Sequence, residues 1–96
     1  MSCYFMAHIR IRDHQEYQKY LVRAREIFKN YHGEYLAVDD HPSVLEGEWD
    51  YTRAVLIRFD TREDFNAWYY SQDYQEILKY RLNASESTAI LMDGYI

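Results

Sequence analysis

The sequence predicts an α+β domain with elements in the order βαββαβ, and three observations carry that prediction. Two stretches, 4–11 and 52–59, alternate between an apolar and a mixed face at period two, the mark of half-buried strands. Two others space their apolar residues at three and four, which is the stripe of an amphipathic helix. The chain has 96 residues with three glycines and one proline, so residues 1–96 form a single domain with few long loops.

Tyr4 to Ile11 places Phe5, Ala7, Ile9 and Ile11 on one side and Tyr4, Met6, His8 and Arg10 on the other. Asp13 then offers a capping oxygen, with Glu16 three residues on, the spacing of a capping box. Tyr17, Tyr20, Leu21, Ala24, Ile27, Phe28 and Tyr31 make one helical stripe, and Gly33 stands where a left-handed residue ends such a helix. Glu34 to Val38 reads as a strand, Asp39-Asp40-His41-Pro42 breaks it, and Ser43 to Trp49 is expected to resume extended structure. Thr52 to Phe59 alternates again, with Val55, Ile57 and Phe59 opposite Ala54, Leu56 and Arg58.

Asp60 or Thr61 caps the next helix, which buries Phe65, Trp68 and Tyr69. Ser71 provides a fresh N-cap, so this helical region is two short helices, the second with Tyr74, Ile77, Leu78 and Arg81 on one side. Thr88 to Met92 makes a short last strand. This is the ferredoxin-like plan, a four-stranded antiparallel sheet with its helices on one face. The helices cover only the Phe5 and Val55 side. Val, Ile, Leu and Phe supply only twenty-two residues, and a chain so short of aliphatics gains from covering the other side with a second copy. A homodimeric α+β barrel is therefore expected.

Composition narrows the function. A net charge of −5 and no basic cluster argue against nucleic acid, and no long apolar run or polybasic stretch points to a membrane. RNA-binding domains on the same plan display aromatic pairs on their central strands, whereas the third strand here shows Ala54, Leu56 and Arg58 outward. The N-terminus meets charge too early for a secretory core, and a lone Cys3 fits a reducing cytoplasm. The four histidines lack metal-ligand spacing, and no glycine-rich phosphate loop occurs, so no metal and no cofactor are expected.

Candidate residues fall in two groups. His8, Arg10 and Arg58 share the uncovered sheet face, where two guanidiniums would hold an anion while the imidazole moves a proton. Their structural alternative is hydrogen bonds and salt bridges across a dimer. Glu46, beside Gly47 and ahead of Trp49, is a second candidate for proton transfer, or else it ties a loop to an arginine. The run WYYSQDYQEILKYR, 68–81, supplies the remaining ligand candidates. Trp68 and Tyr74 belong first to the core, Ser71 to a cap, and Arg81 either pairs with Glu46 or Asp13 or binds a ligand anion. With Trp49 these complete the candidate ligand-binding set, and a cleft bringing together His8, Arg10, Glu46 and Arg81 is expected.

Asp13 with Tyr17 and Tyr20, then Tyr31-His32-Gly33, Leu45-Glu46-Gly47-Glu48-Trp49, and Trp68-Tyr69-Tyr70-Ser71 with Tyr74 and Arg81 together resemble the DUF1330 family of domains of unknown function. The resemblance runs nearly end to end. It implies the dimeric α+β barrel superfamily, whose members include cofactor-free monooxygenases, muconolactone isomerases and chlorite dismutase-like haem proteins. The expected function is binding of a small anionic or aromatic metabolite, with cofactor-independent proton transfer or oxygenation as its chemistry. The alternative is a non-catalytic ligand-binding or dimeric interaction module.

Overall fold

The computed structural model describes residues 1–96. Its elements are β1 (Cys3–Ile11), α1 (His14–Phe28), β2 (Gly33–Asp39), β3 (Arg53–Phe59), α2 (Arg62–Tyr69), α3 (Gln72–Ala84) and β4 (Ser85–Asp93). The strands form one antiparallel sheet in the order β2-β3-β1-β4, the ferredoxin-like arrangement with all helices on one side.

Local chemistry sets the helix starts. The Asp13 side chain accepts from the Glu16 amide, Thr61 from Asp64, and Ser71 from Tyr74, each relieving one of the unpaired donors at a helix N-terminus. The Ser71 hydroxyl also donates to the Trp68 carbonyl at 2.7 Å, so one side chain closes α2 and opens α3. The last strand is longer than the sequence pattern indicated. It starts at Ser85 and pairs with β1 along its whole length, Ile11 opposite Ser85 through Cys3 opposite Asp93.

Two expectations need correction. Residues 43–49 form no strand, and the sheet resumes only at Arg53. Asp39 to Pro42 breaks the chain, and Gly47 turns it again at a φ of 77°, a conformation that disfavours side chains. Gly33 does not end α1 with a left-handed turn. Helix α1 stops at Phe28, and Gly33 opens β2. A Cβ there would sit 2.5 Å from Phe28 Cζ and 2.6 Å from Phe59 Cε1, so close packing and not backbone handedness requires the glycine.

The core is aromatic where most small domains use leucine. Trp68, 1% exposed, stacks on Phe59 at 5.5 Å, meets Phe5 and Phe28 edge-on at 5.5 and 5.6 Å, and lies 4.4 Å from Tyr74. One indole thus joins β1, β3, α1 and α3. Edge and offset contacts of this kind add roughly 0.5–1.5 kcal/mol per pair beyond area burial. Trp68 and Tyr74 of the aromatic run 68–81 are therefore core.

Replacing Trp68 with Ala should cost about 3–5 kcal/mol, read as a lower urea midpoint. Gly33→Ala should cost roughly 1–3 kcal/mol by overpacking the Phe28 and Phe59 rings. An unchanged midpoint for Gly33→Ala would show that those rings move freely.

Candidate functional site

Between α1 and the sheet the layers do not close, and a cavity of about 370 Å³ remains, within the range of small-molecule sites. Its sheet wall is Phe5, Ala7 and Ile9 of β1 with Val55 and Ile57 of β3; its helix wall is Tyr17, Tyr20, Leu21, Ala24 and Phe28. Two alanines, Ala7 and Ala24, occupy stripes otherwise made of large residues, which leaves the space open. The mouth runs along the edge strand β2. There Val38 sits on the helix-facing side of the sheet, opposite Val55, yet is 42% exposed.

Arg81 reaches the cavity from α3 and is 2% exposed. None of the chain's ion pairs includes it, and its Nε has no hydrogen-bond partner. The expected pairing with Glu46 or Asp13 is therefore not formed. Glu46 is exposed on the loop before β3, and Asp13 is used as the α1 cap. Arg81 instead lies over aromatic faces, with its guanidinium carbon 5.7 Å from the Tyr20 ring centroid, a cation–π distance. Tyr20 and Tyr74 share a hydrogen bond at 2.8 Å between their hydroxyls, and the Trp68 indole N–H, also at the cavity wall, has no acceptor.

The cavity is electrostatically one-sided. Its ionisable walls other than tyrosine are Arg25, Lys29, Arg53 and Arg81, with no Asp, Glu or His among them. Burial works to lower the Arg81 pKa, but the surrounding phenols outweigh it and leave it raised, so the group is cationic at any physiological pH. Burial pushes the Tyr17 and Tyr74 phenols up to about 12 and raises Tyr20 well above its ordinary value. All three are neutral at pH 7 and can donate.

The other candidates lie elsewhere. His8, Arg10 and Arg58 occupy the opposite sheet face, so the sheet separates them from Arg81, and the single cleft expected from the sequence is not assembled within one subunit. The register fixes this: His8 stands opposite Ala54 and Thr88, and Tyr4 opposite Arg58. Arg10 is bound by Asp50 and Glu86, and Arg58 by Asp60 at 2.8 Å and Ser2 at 2.7 Å. His8 packs under Trp49 and Tyr51, ring centres 4.6 and 5.4 Å away. Ser71 is committed as a cap.

The sequence pattern places Tyr17 and Tyr20 first in the core and Ala7 and Ala24 on the apolar faces, without marking any of them, or Arg25 and Arg53, as cavity walls. Arg53 carried a usable signal. It shares the inward parity of Val55, Ile57 and Phe59, so a charge there had to face the helix layer.

The buried phenols make stability pH-dependent. The folded chain holds these protons more tightly than the unfolded chain, where tyrosine ionises near pH ~10. Between those values the native state binds more protons, so stability falls as pH rises. The contribution is complete below pH ~10 and is lost through about 12. Urea midpoints should be flat from neutrality to that lower bound and then drop; a midpoint that stays level to pH ~12 would refute the burial of these phenols.

No helix is long and apolar enough to cross a membrane, and no group of three or more His, Cys, Asp or Glu side chains could hold a metal ion. No curated protein matches the chain. Among solved structures it is similar to RPA0582, a protein of unknown function from Rhodopseudomonas palustris, at 16% identity and a TM-score of 0.80 over 99% of this chain and 83% of that one. It is also similar to a dimeric ferredoxin-like protein of unknown function from Thermobifida fusca (16% identity, TM-score 0.70, covering 98% and 92%). A third similar structure is SnoaB, a cofactor-independent oxygenase from Streptomyces nogalater (11%, 0.69, covering 99% and 94%). These likenesses show the fold. The family described as "Domain of unknown function (DUF1330)" matches residues 2–95, and the chain belongs to it.

Proposed function

We propose that this protein binds a small, apolar or aromatic anion in the helix–sheet cavity, with the ligand's acidic group on Arg81. The observation that carries this reading is a guanidinium, 2% exposed, that has no carboxylate partner. An uncompensated buried charge costs several kcal/mol, and tertiary packing alone gives no reason to keep it. A bound carboxylate, enolate or phenolate would supply the missing charge, with the one hydroxyl proton that the Tyr20–Tyr74 pair leaves free as a further donor.

Chemistry follows from the same walls. With no His, Asp or Glu lining the cavity, the protein offers no general base there. A ligand oxidised or isomerised in this cavity would have to enter already ionised, and binding without turnover fits the walls equally well. The likeness to a cofactor-independent oxygenase is compatible with the first case.

The working unit is a homodimer joined through the open sheet face. Ala37, Leu56, Met6 and Ile90 stand side by side across all four strands, and Ile90 is 53% exposed. An apolar row at the centre of a sheet, with charged residues toward its ends, suits a twofold contact.

Four measurements test this. Calorimetric titration should show 1-naphthoate binding and its neutral amide binding at least roughly tenfold more weakly, the factor expected of one charge-assisted hydrogen bond. Arg81→Met should abolish naphthoate binding while the melting temperature holds or rises, because a similar volume replaces an unpaired charge. Ala24→Leu should fill the cavity, leave folding intact and block binding; naphthoate binding as in the wild type would place the site elsewhere. Met6→Asp with Leu56→Asp should give monomers in sedimentation, and a persistent dimer would assign the contact to another surface.

A further inference from the structure

We propose that the natural ligand carries two acidic groups on an apolar scaffold, one on Arg81 at the cavity floor and the second at the mouth, on Arg25 beside Tyr35; this rests on the binding reading above and narrows its ligand class. A chain of net charge −5 has lined one cavity with four cations and no anion. Two of the four are already engaged, Lys29 with Glu26 at 3.0 Å and Arg53 with Asp40 at 2.7 Å. Arg25 and Arg81 take part in no ion pair.

Arg25 lies in the last turn of α1, where the helix dipole favours a cation. That accounts for a positive residue in the turn but not for its place in the cavity wall. Tyr35 joins floor to mouth. Burial raises its phenol, and Arg25, Arg53 and Arg81 all pull it down, so all three guanidiniums, which line the same cavity as Tyr35, lie within electrostatic reach of it. Between floor and mouth the walls are apolar, Phe28, Val55 and Ile57 among them. A compact inorganic anion would satisfy one end and leave that stretch uncovered. A rigid or chain-like diacid covers both.

The test compares 1-naphthoate with two diacids, 2,6-naphthalenedicarboxylate and the flexible suberate, by calorimetry on the full chain. At least one diacid should bind about tenfold tighter than the monoacid, the gain of a second charge-assisted contact. Arg25→Gln, at an exposed position, should remove that advantage while weakening naphthoate far less than Arg81→Met does. If naphthoate binds and neither diacid binds more tightly, the second acidic group is ruled out while the Arg81 site stands; a diacid advantage that survives Arg25→Gln overturns the placement of that group on Arg25. If none of the three probes binds the wild type, the cavity reading itself falls, and this inference with it.

Discussion

Strand β1 pairs with β3 on one side and β4 on the other, and the alternation of its side chains governs the rest of the molecule. Its odd positions, Cys3, Phe5, Ala7 and Ile9, are buried under the helices, and its even positions face away. A slip of one residue would send His8 and Arg10 into the aromatic core and put Phe5 on the open side. Because both neighbours are registered to this strand, the same parity extends to Ile57 and Phe59, and to Leu91 in β4. Every division between core, cavity and open face follows from it.

That parity explains what the sequence disclosed and what it withheld. Period-two and period-three-to-four patterns are local, so the strands, the helices and the Ser71 junction could be read directly. Gly33 could not, because its reason is two rings brought from Phe28 and Phe59, five residues and twenty-six residues away along the chain. The same holds for Arg81. Its stripe with Tyr74, Ile77 and Leu78 predicted burial, and burial of a guanidinium normally implies a carboxylate. Whether one arrives is a tertiary fact, and here Glu46 and Asp13 both lie elsewhere. His8 and Arg10 were correctly placed on the open face, but the salt-bridge partners of Arg10 come from the β2–β3 loop and β4, which spacing alone cannot position.

The cavity has its own cause in the composition. A chain short of aliphatics fills its interior with rings, and flat rings joined edge to face pack well around Trp68 but leave the α1 side wide. Ala7 and Ala24 face that gap where leucines would have closed it. An opening so easily filled by one substitution, and left unfilled, is consistent with the proposed ligand site, where stability would not be the quantity being maximised. The tyrosines fit the same account. Their hydroxyls need partners inside a low-dielectric wall, and Tyr20 with Tyr74 satisfy each other, whereas the Trp68 and Arg81 nitrogens do not.

Charge settles which molecules suit this space. The field inside an apolar cavity is set by the nearest unscreened charges, and here the two lining charges without an ion-pair partner, Arg25 and Arg81, are both positive although the protein as a whole is acidic. The negative exterior repels anions at long range, but that repulsion is screened beyond about 8–10 Å at physiological salt. The buried guanidinium is not screened in the same way, so in the proposed site it would decide the affinity of an anion once inside. Neutral phenols beside it add donors without adding charge. An acceptor-rich anion with an apolar body gains on all three counts, and a cation or a neutral hydrocarbon loses on at least one. The same cationic wall lowers the energy of an oxyanion without providing any group to generate it, which is why the acidity of the ligand, and not a basic residue, would set the pH dependence of its binding.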